Sequence, residues 1–170
     1  ANLLRDLIDA GLHAIQTSGK ATRNITADPL SGLTEGEIED ARPYCELIRR
    51  WFNLHPEFSW LPGKFKIAIN GAKLDETALR IHDLGLRLVR NEKGELGFRV
   101  FVGGGLGAAA MVGAETASFV PVVDILSYLE SSLRIYNLKG RRDHQKKLRI
   151  KFLVRELGAN EFSRLVDEDW

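Results

Sequence analysis

The run Lys64-Phe65-Lys66-Ile67-Ala68-Ile69-Asn70 places a large apolar residue at every second position. Successive side chains of a strand point to opposite faces, so this period of two predicts a strand and excludes a helix. Phe65, Ile67 and Ile69 then make a core face, while Lys64, Lys66, Ala68 and Asn70 share the other. That second face puts two ammonium groups beside a small residue that leaves room for a ligand. Neighbouring like charges repel, so an anion held between them is one reading of the pair. The other reading is a solvated edge strand whose lysines discourage aggregation.

The rest of the chain supplies a sheet and several helices around that strand. Leu84 to Arg90 and Gly97 to Val102 flank Asn91-Glu92-Lys93-Gly94-Glu95, which is a hairpin signal. Leu3, Leu4, Leu7, Ile8 and Leu12 recur at helical spacing over residues 2–12, and His13 to Thr17 reads as a short strand. Residues 18–42, rich in Gly, Ser, Thr, Asp and Pro, read as a structured loop. Tyr44 to Leu54 is predicted helical, with Leu47, Ile48, Trp51 and Phe52 on one face and Pro43 near its start. A connection with two prolines follows, from His55 to Gly63. Asp75 to His82 reads as a short helix, Pro121 to Leu138 as a long one, Arg141 to Leu157 as a basic one ended by Gly158, and Glu161 to Trp170 as the last. No repeat or linker divides the chain. The expected class is α+β, a mixed or largely antiparallel sheet with helices packed on it, in a single module over residues 1–170.

Three stretches carry the candidate chemistry. Arg23 lies among small polar residues, and its guanidinium is a permanent, planar donor fork for oxyanions that Asn24 and the neighbouring hydroxyls would orient. Its alternative is a plain ion pair with Asp28 or another acid that merely holds the loop. Lys64 and Lys66 are the second set. Gly103, Gly104, Gly105 and Gly107 follow an apolar strand and permit close approach of a ligand to main-chain N–H groups. Gly103, Gly105 and Ala108 also match the loose G-x-G-x-x-A dinucleotide pattern, but a second parallel strand ending in an acid does not follow. A flexible hairpin end is the remaining reading of the turn.

Other features narrow the function classes. Net charge is +1, so the molecule is not built as a whole to hold nucleic acid or a membrane surface. Lys139 to Arg155 is locally basic, with Asp143 its one acid. Its ordinary meaning is a solvated helix face; docking of an acidic electron donor comes next, and nucleic acid last, since no aromatic ladder accompanies it. The four histidines have no metal-site spacing, so no metal ligands are expected. His82-Asp83 stands at a strand entrance where the carboxylate would orient the imidazole. Cys45, the single cysteine, reads as a small core residue; it cannot form an internal disulfide or hold an iron–sulfur cluster, which takes about four thiolates. Lone thiol and short apolar runs together give the expectation of a cytoplasmic protein without membrane contact. A start inside a helical pattern suggests a piece of something longer.

Five segments, taken together and in order, resemble one family. His13 to Thr26, which contains Thr22-Arg23-Asn24, resembles an arginine–asparagine loop of the sirohaem-containing sulfite and nitrite reductases. Leu61 to Ala68, Leu-Pro-Gly-Lys-Phe-Lys-Ile-Ala, resembles their lysine strand, and Gly97 to Gly107 their glycine hairpin. Asn137 to Asp143 and Arg149-Ile150-Lys151 resemble their helical tail. The resemblance implies a module of a six-electron reductase, taking sulfite to sulfide or nitrite to ammonia. It implies that Arg23, Lys64 and Lys66 bind the substrate oxyanion on the distal side of sirohaem, and that Asn24 and Gly103, Gly104, Gly105 and Gly107 contact this cofactor. It further implies a [4Fe–4S] cluster in the full-length protein, not ligated by this chain, together with the remaining domains of the parent reductase and a ferredoxin or flavoprotein donor. The isolated chain is expected to be inactive.

The chain departs from the family pattern at three places. Gly63 stands where the family usually has arginine, Ala108-Ala109-Ala110 where Arg-Thr-Pro is frequent, and Lys73-Leu74-Asp75 where a Pro-Asn-Asp stretch is expected. Each removes a polar or charged group. A non-catalytic scaffold of the same fold that binds no haem is therefore a second expectation, and a nicotinamide-binding enzyme built on the glycine turn a third.

Overall fold

Phe65, Ile67 and Ile69 are fully buried, as their period of two requires. The structure, a computed structural model, describes residues 2–15, 17–75 and 77–170. Its centre is one five-stranded sheet in the order β1 (Thr22–Ala27), β2 (Phe65–Asn70), β3 (Leu84–Arg90), β4 (Leu96–Val102) and β5 (Ala114–Pro121). β1, β2 and β3 run parallel, and β3, β4 and β5 run antiparallel. The sheet is thus mixed, in an α+β arrangement. The register pairs Ile67 with Leu84, and Leu84 with Val102, so the apolar face of each strand falls on the same side.

Helices close that side. α2 (Arg42–Phe52) contributes Ile48 and Phe52, α3 (Ile125–Lys139) Leu129, Leu133 and Tyr136, α4 (Ile150–Leu157) Ile150 and Val154, and α5 (Ala159–Asp169) Phe162 and Val166. They meet Leu84, Leu86, Leu88, Phe98, Val100 and Val102 of the sheet in one core. Pro43 falls in the first turn of α2, where its missing N–H costs no hydrogen bond. By contrast α1 (Asn2–Asp9) buries none of its residues, and Leu3, Leu4 and Ile8 stay exposed. No helix among the described residues is long and apolar enough to cross a membrane.

Several elements differ from the sequence expectation. A strand, β1, lies inside the stretch expected to be loop; its polar residues suit an edge strand that pairs on one side only. His13 to Thr17 forms no strand among its described residues, Gln16 lying outside them. β5 has no clean alternation in Ala-Glu-Thr-Ala-Ser-Phe-Val-Pro, because register shifts against β4 interrupt the two-residue period. Within Asp75 to His82 the helical part is a 3-10 turn at Leu79–Ile81, with Glu76 outside the described residues. Residues 122–124 form a 3-10 turn before α3 begins. The basic stretch is not one helix: only Ile150–Leu157 is α-helical, preceded by a 3-10 turn at Gln145–Lys147.

The topology decides where chemistry can gather. Because β4 runs against β3, the C-terminal end of β4 lies beside the N-terminal ends of β2 and β3. The beginnings of β1, β2 and β3 and the turn after β4 therefore share one edge of the sheet.

Candidate functional site

Arg23 and Lys66 line one cavity of about 400 Å³ at that edge, together with Thr17, Asn24 and Arg49. Two adjacent residues of a regular strand would face opposite ways. Here the β1–β2 register shifts between Thr22 and Ile25, and this irregularity lets both Arg23 and Asn24 border the same space. The Arg23 guanidinium donates to the carbonyl of Thr17 at 2.8 Å and to that of Gly19 at 2.9 Å. It makes no ion pair among the described residues. Asp28 instead accepts the N–H of Leu30, so it is a turn residue and not the partner of Arg23. Neutral carbonyls fix the guanidinium without cancelling its charge. Arg49, on the far wall, is paired with Glu46 at 2.7 Å.

Lys66 also lines a second cavity, of about 360 Å³, with Lys64, His82, Leu106, Gly107 and Arg149. Lys64, Leu106, Gly107 and Arg149 reappear around a third, of about 680 Å³, which Lys151 and Arg155 also line. The three spaces follow one another along the sheet edge, and no carboxylate lines any of them among the described residues. Lys64 is exposed and Lys66 half-buried, and neither forms an ion pair among those residues. Clustered cations with no acid between them raise the local potential and hold a small anion strongly where the walls exclude water. Ala68, expected to leave room for a ligand, is fully buried by protein, as is Asn70 on the same face; Asn70 donates to the carbonyl of Leu74.

The glycine turn is built tightly. The N–H of Gly103 donates to the carbonyl of Asp83 at 3.0 Å, and that of Gly105 to Met111 at 2.9 Å, so these two amides are used within the fold. A Cβ on Gly104 would lie 2.3 Å from the carbonyl oxygen of Arg80. At Gly105 a Cβ would crowd the side chains of Arg149 and Lys151. Gly107, at φ +105°, has open space around it and borders the second and third cavities. Of the four glycines, Gly107 is the one that borders these cavities; Gly103, Gly104 and Gly105 permit close packing.

The contribution of Asp83, Arg149 and Lys151 was hidden in the sequence. Asp83 does not orient His82, whose Nδ1 lies 3.1 Å from the carbonyl of Ala78. It is fully buried, accepts from Arg149 Nε at 2.9 Å and accepts the main-chain N–H of Lys66 at 2.9 Å. Burial pushes the Asp83 carboxyl up from its ordinary value, against the opposing pull of Arg149. Lys151 Nζ donates to the carbonyls of Leu106 and Ala109, and burial pushes this ammonium down, with Arg149 adding to the effect. The one signal in the sequence is the alternation of Arg149 and Lys151 about Ile150, at the start of an apolar helical run. At Gly63 a Cβ would sit 3.1 Å from Leu148 Cβ and 3.3 Å from Tyr136 Oη, so a packed leucine stands against the position where an arginine was expected.

Comparisons with known proteins bear on this arrangement. A family model described as "Nitrite and sulphite reductase 4Fe-4S domain" matches residues 18–170. Sulfite reductase [ferredoxin] 1 of Mycolicibacterium paratuberculosis is 29% identical over 167 residues, covering 98% of this chain and 30% of that protein. Ferredoxin–nitrite reductase of Leptolyngbya laminosa is 30% identical over 172 residues, covering 98% and 34%. The solved structure of Mycobacterium tuberculosis NirA protein superposes with a TM-score of 0.90 at 28% identity, over 99% of this chain and 31% of that one. Dissimilatory sulfite reductase I shares the fold, with a TM-score of 0.72 at 13% identity. The chain thus spans about a third of the length of these curated relatives.

Proposed function

Since the chain belongs to the nitrite and sulphite reductase family, we propose that it is one module of a sirohaem-dependent assimilatory sulfite or nitrite reductase, supplying oxyanion and sirohaem contacts. The observation that carries this reading is the continuous basic edge: Arg23 shares a cavity with Lys66, and Lys66 shares the next with Lys64 and Gly107. Residues far apart in the chain converge on acid-free space, as a polycarboxylate macrocycle and a small oxyanion both require.

The residues fit sirohaem in the chemistry of their donors. Lys64, Gly107 and Arg149 border the two cavities beside the glycine turn, and Asn24 offers an amide at the first. When bound, sirohaem supplies the iron at which sulfite or nitrite is held and reduced by six electrons. The chain's own part is electrostatic. Arg23 is held by Thr17 and Gly19, so its remaining charge meets an oxyanion with little reorganisation. Lys64 and Lys66 attract the same anion through charge-assisted hydrogen bonds, and each ammonium carries protons for oxygens that leave as water.

The [4Fe–4S] cluster named in the family description does not fit this chain. Cys45 is its one cysteine, half-buried on α2, and burial pushes its thiol up to about 12. No group of three or more His, Cys, Asp and Glu among the described residues is arranged to hold a metal. The cluster, the remaining domains and the docking of a ferredoxin or flavoprotein donor are assigned to the rest of a cytoplasmic parent reductase, and the 170-residue module is inactive alone. A second reading, a scaffold of the same fold without haem, is favoured by one observation: Leu148 packs against Gly63, where the family's arginine would stand.

Titration with sirohaem, followed by the visible spectrum, separates the two. The reductase reading expects a saturable shift of the Soret band; a flat titration of folded protein supports the scaffold.

A further inference from the structure

We propose that Asp83 is a positioning residue that aims Arg149 into the basic edge, making Arg149 a further oxyanion-binding cation beside Lys64 and Lys66. This inference rests on the reading of that edge as an oxyanion site.

The geometry of the pair is one-sided. Asp83 is fully buried, whereas Arg149 keeps 20% of its side chain accessible and lines the second and third cavities. The acid is hidden behind the wall and the cation is presented through it. One carboxylate oxygen, Oδ1, accepts from Nε of Arg149 at 2.9 Å and forms an ion pair with its Nη2 at 2.8 Å. Neither bond uses Nη1. The other oxygen, Oδ2, takes the main-chain N–H of Lys66 at 2.9 Å. A single carboxylate therefore fixes the strand that carries Lys66 and the guanidinium that faces the cavity shared with it.

The turn after β4 makes room for the same group. A Cβ on Gly105 would lie 3.2 Å from Arg149 Cζ and Nη1, so the absence of a side chain there clears the path of the guanidinium. Arg149 also directly precedes α4, whose buried Ile150 fixes the backbone at the next position. Acid, glycine and helix start each restrict one freedom of the arginine. Isolated buried charges are costly, and a carboxylate near an anion site opposes binding by its charge. Its benefit to such a site is geometric.

That opposition gives a test whose sign is informative. The full 170-residue chain is titrated with inorganic sulfate at constant ionic strength, and the amide resonances of Lys66 and Arg149 are followed by NMR. In the unaltered chain both shift saturably. Asp83→Asn removes a negative charge, so a carboxylate acting through charge alone predicts tighter sulfate binding. Positioning predicts weaker binding, by about fivefold, with the Arg149 Nε–H resonance losing its separate shift. Arg149→Gln keeps a donor for Asp83 and removes the cation, and it too weakens sulfate about fivefold. Equal or tighter binding by folded Asp83→Asn overturns the inference. If that variant does not fold, unchanged affinity in Arg149→Gln overturns it instead. A saturable response of the same affinity in the unaltered chain and in both variants leaves the oxyanion site standing without Asp83 and Arg149, and overturns the inference. The absence of any response in the unaltered chain removes the oxyanion reading, and this inference with it.

Discussion

The ammonium of Lys151 donates to the carbonyl oxygen of Ala109 at 2.6 Å. The same nitrogen reaches the carbonyl of Leu106 at 3.1 Å, and the residue is 4% exposed. A cation from the first turn of α4 thus clamps the outer arm of the glycine turn, and carbonyl dipoles take the place of a carboxylate partner. The turn is shaped by a residue distant in sequence, which explains how alanines at 108–110 hold a defined course.

Lys151→Met keeps the stem and deletes the donor. The expected result is a loss of about 1.5–3 kcal/mol in unfolding free energy, the usual contribution of hydrogen bonds to a charged group. Urea unfolding measures it. Hydrogen exchange at Gly105 and Met111, whose N–H groups bond across the turn, should speed up in the folded protein; unchanged exchange counts against the clamp.

Gly104→Ala tests the close packing of the same turn from its other side. The added Cβ would meet the carbonyl oxygens of Arg80 at 2.3 Å and His82 at 2.4 Å, both main chain and unable to swing away. Overpacking of this kind costs about 1–3 kcal/mol. Thermal unfolding should show a clearly lowered midpoint, and an unaltered one refutes the placement.

Lys64→Ala and Lys66→Ala remove cations that no acid of the described residues neutralises. Each is expected to weaken sulfite binding to the sirohaem-loaded protein about tenfold, the scale of one charge-assisted hydrogen bond. Lys66 should show the larger effect, because it is half-buried and belongs to two of the cavities. Equal affinity in both variants removes their assigned role. Stability should change little, since neither ammonium holds a partner among the described residues.

Asp40 contributes to acid stability, since the Arg42 guanidinium holds its carboxyl at about 2, with Ser31 also within donating distance. Its folded value lies below the ordinary carboxyl value, so the unfolded chain binds the proton first as pH falls. The stabilisation is complete above about pH 4–5 and is lost as pH drops towards 2. Asp40→Asn should flatten the decline in urea midpoint between pH 5 and pH 2.5. An equally steep decline shows that other carboxylates dominate.

The sequence disclosed the elements whose side chains obey a simple period. β2, β3 and β4, the hairpin between the last two, and helices α2, α3 and α5 all follow from apolar spacing or turn chemistry. β1 and β5 did not, because an edge strand needs little apolar patterning and register shifts break the period. In the candidate site, Arg23, Lys64 and Lys66 were legible as cations in structured settings. Asp83 and Lys151 were not, since their meaning lies in partners far along the chain: Arg149 for the first, Ala109 for the second. Conformational freedom makes all four glycines of the turn candidate ligand contacts; what the sequence does not disclose is that the N–H groups of Gly103 and Gly105 bond within the fold and that Gly104 packs against the carbonyls of Arg80 and His82.

Leu148 governs what residue 63 can become. A Cβ at position 63 would lie 3.1 Å from Leu148 Cβ and 3.3 Å from the Tyr136 hydroxyl. Any side chain there therefore asks its neighbours to yield by a few tenths of an ångström, so the size tolerated at 63 is set by residue 148 from the far end of the chain.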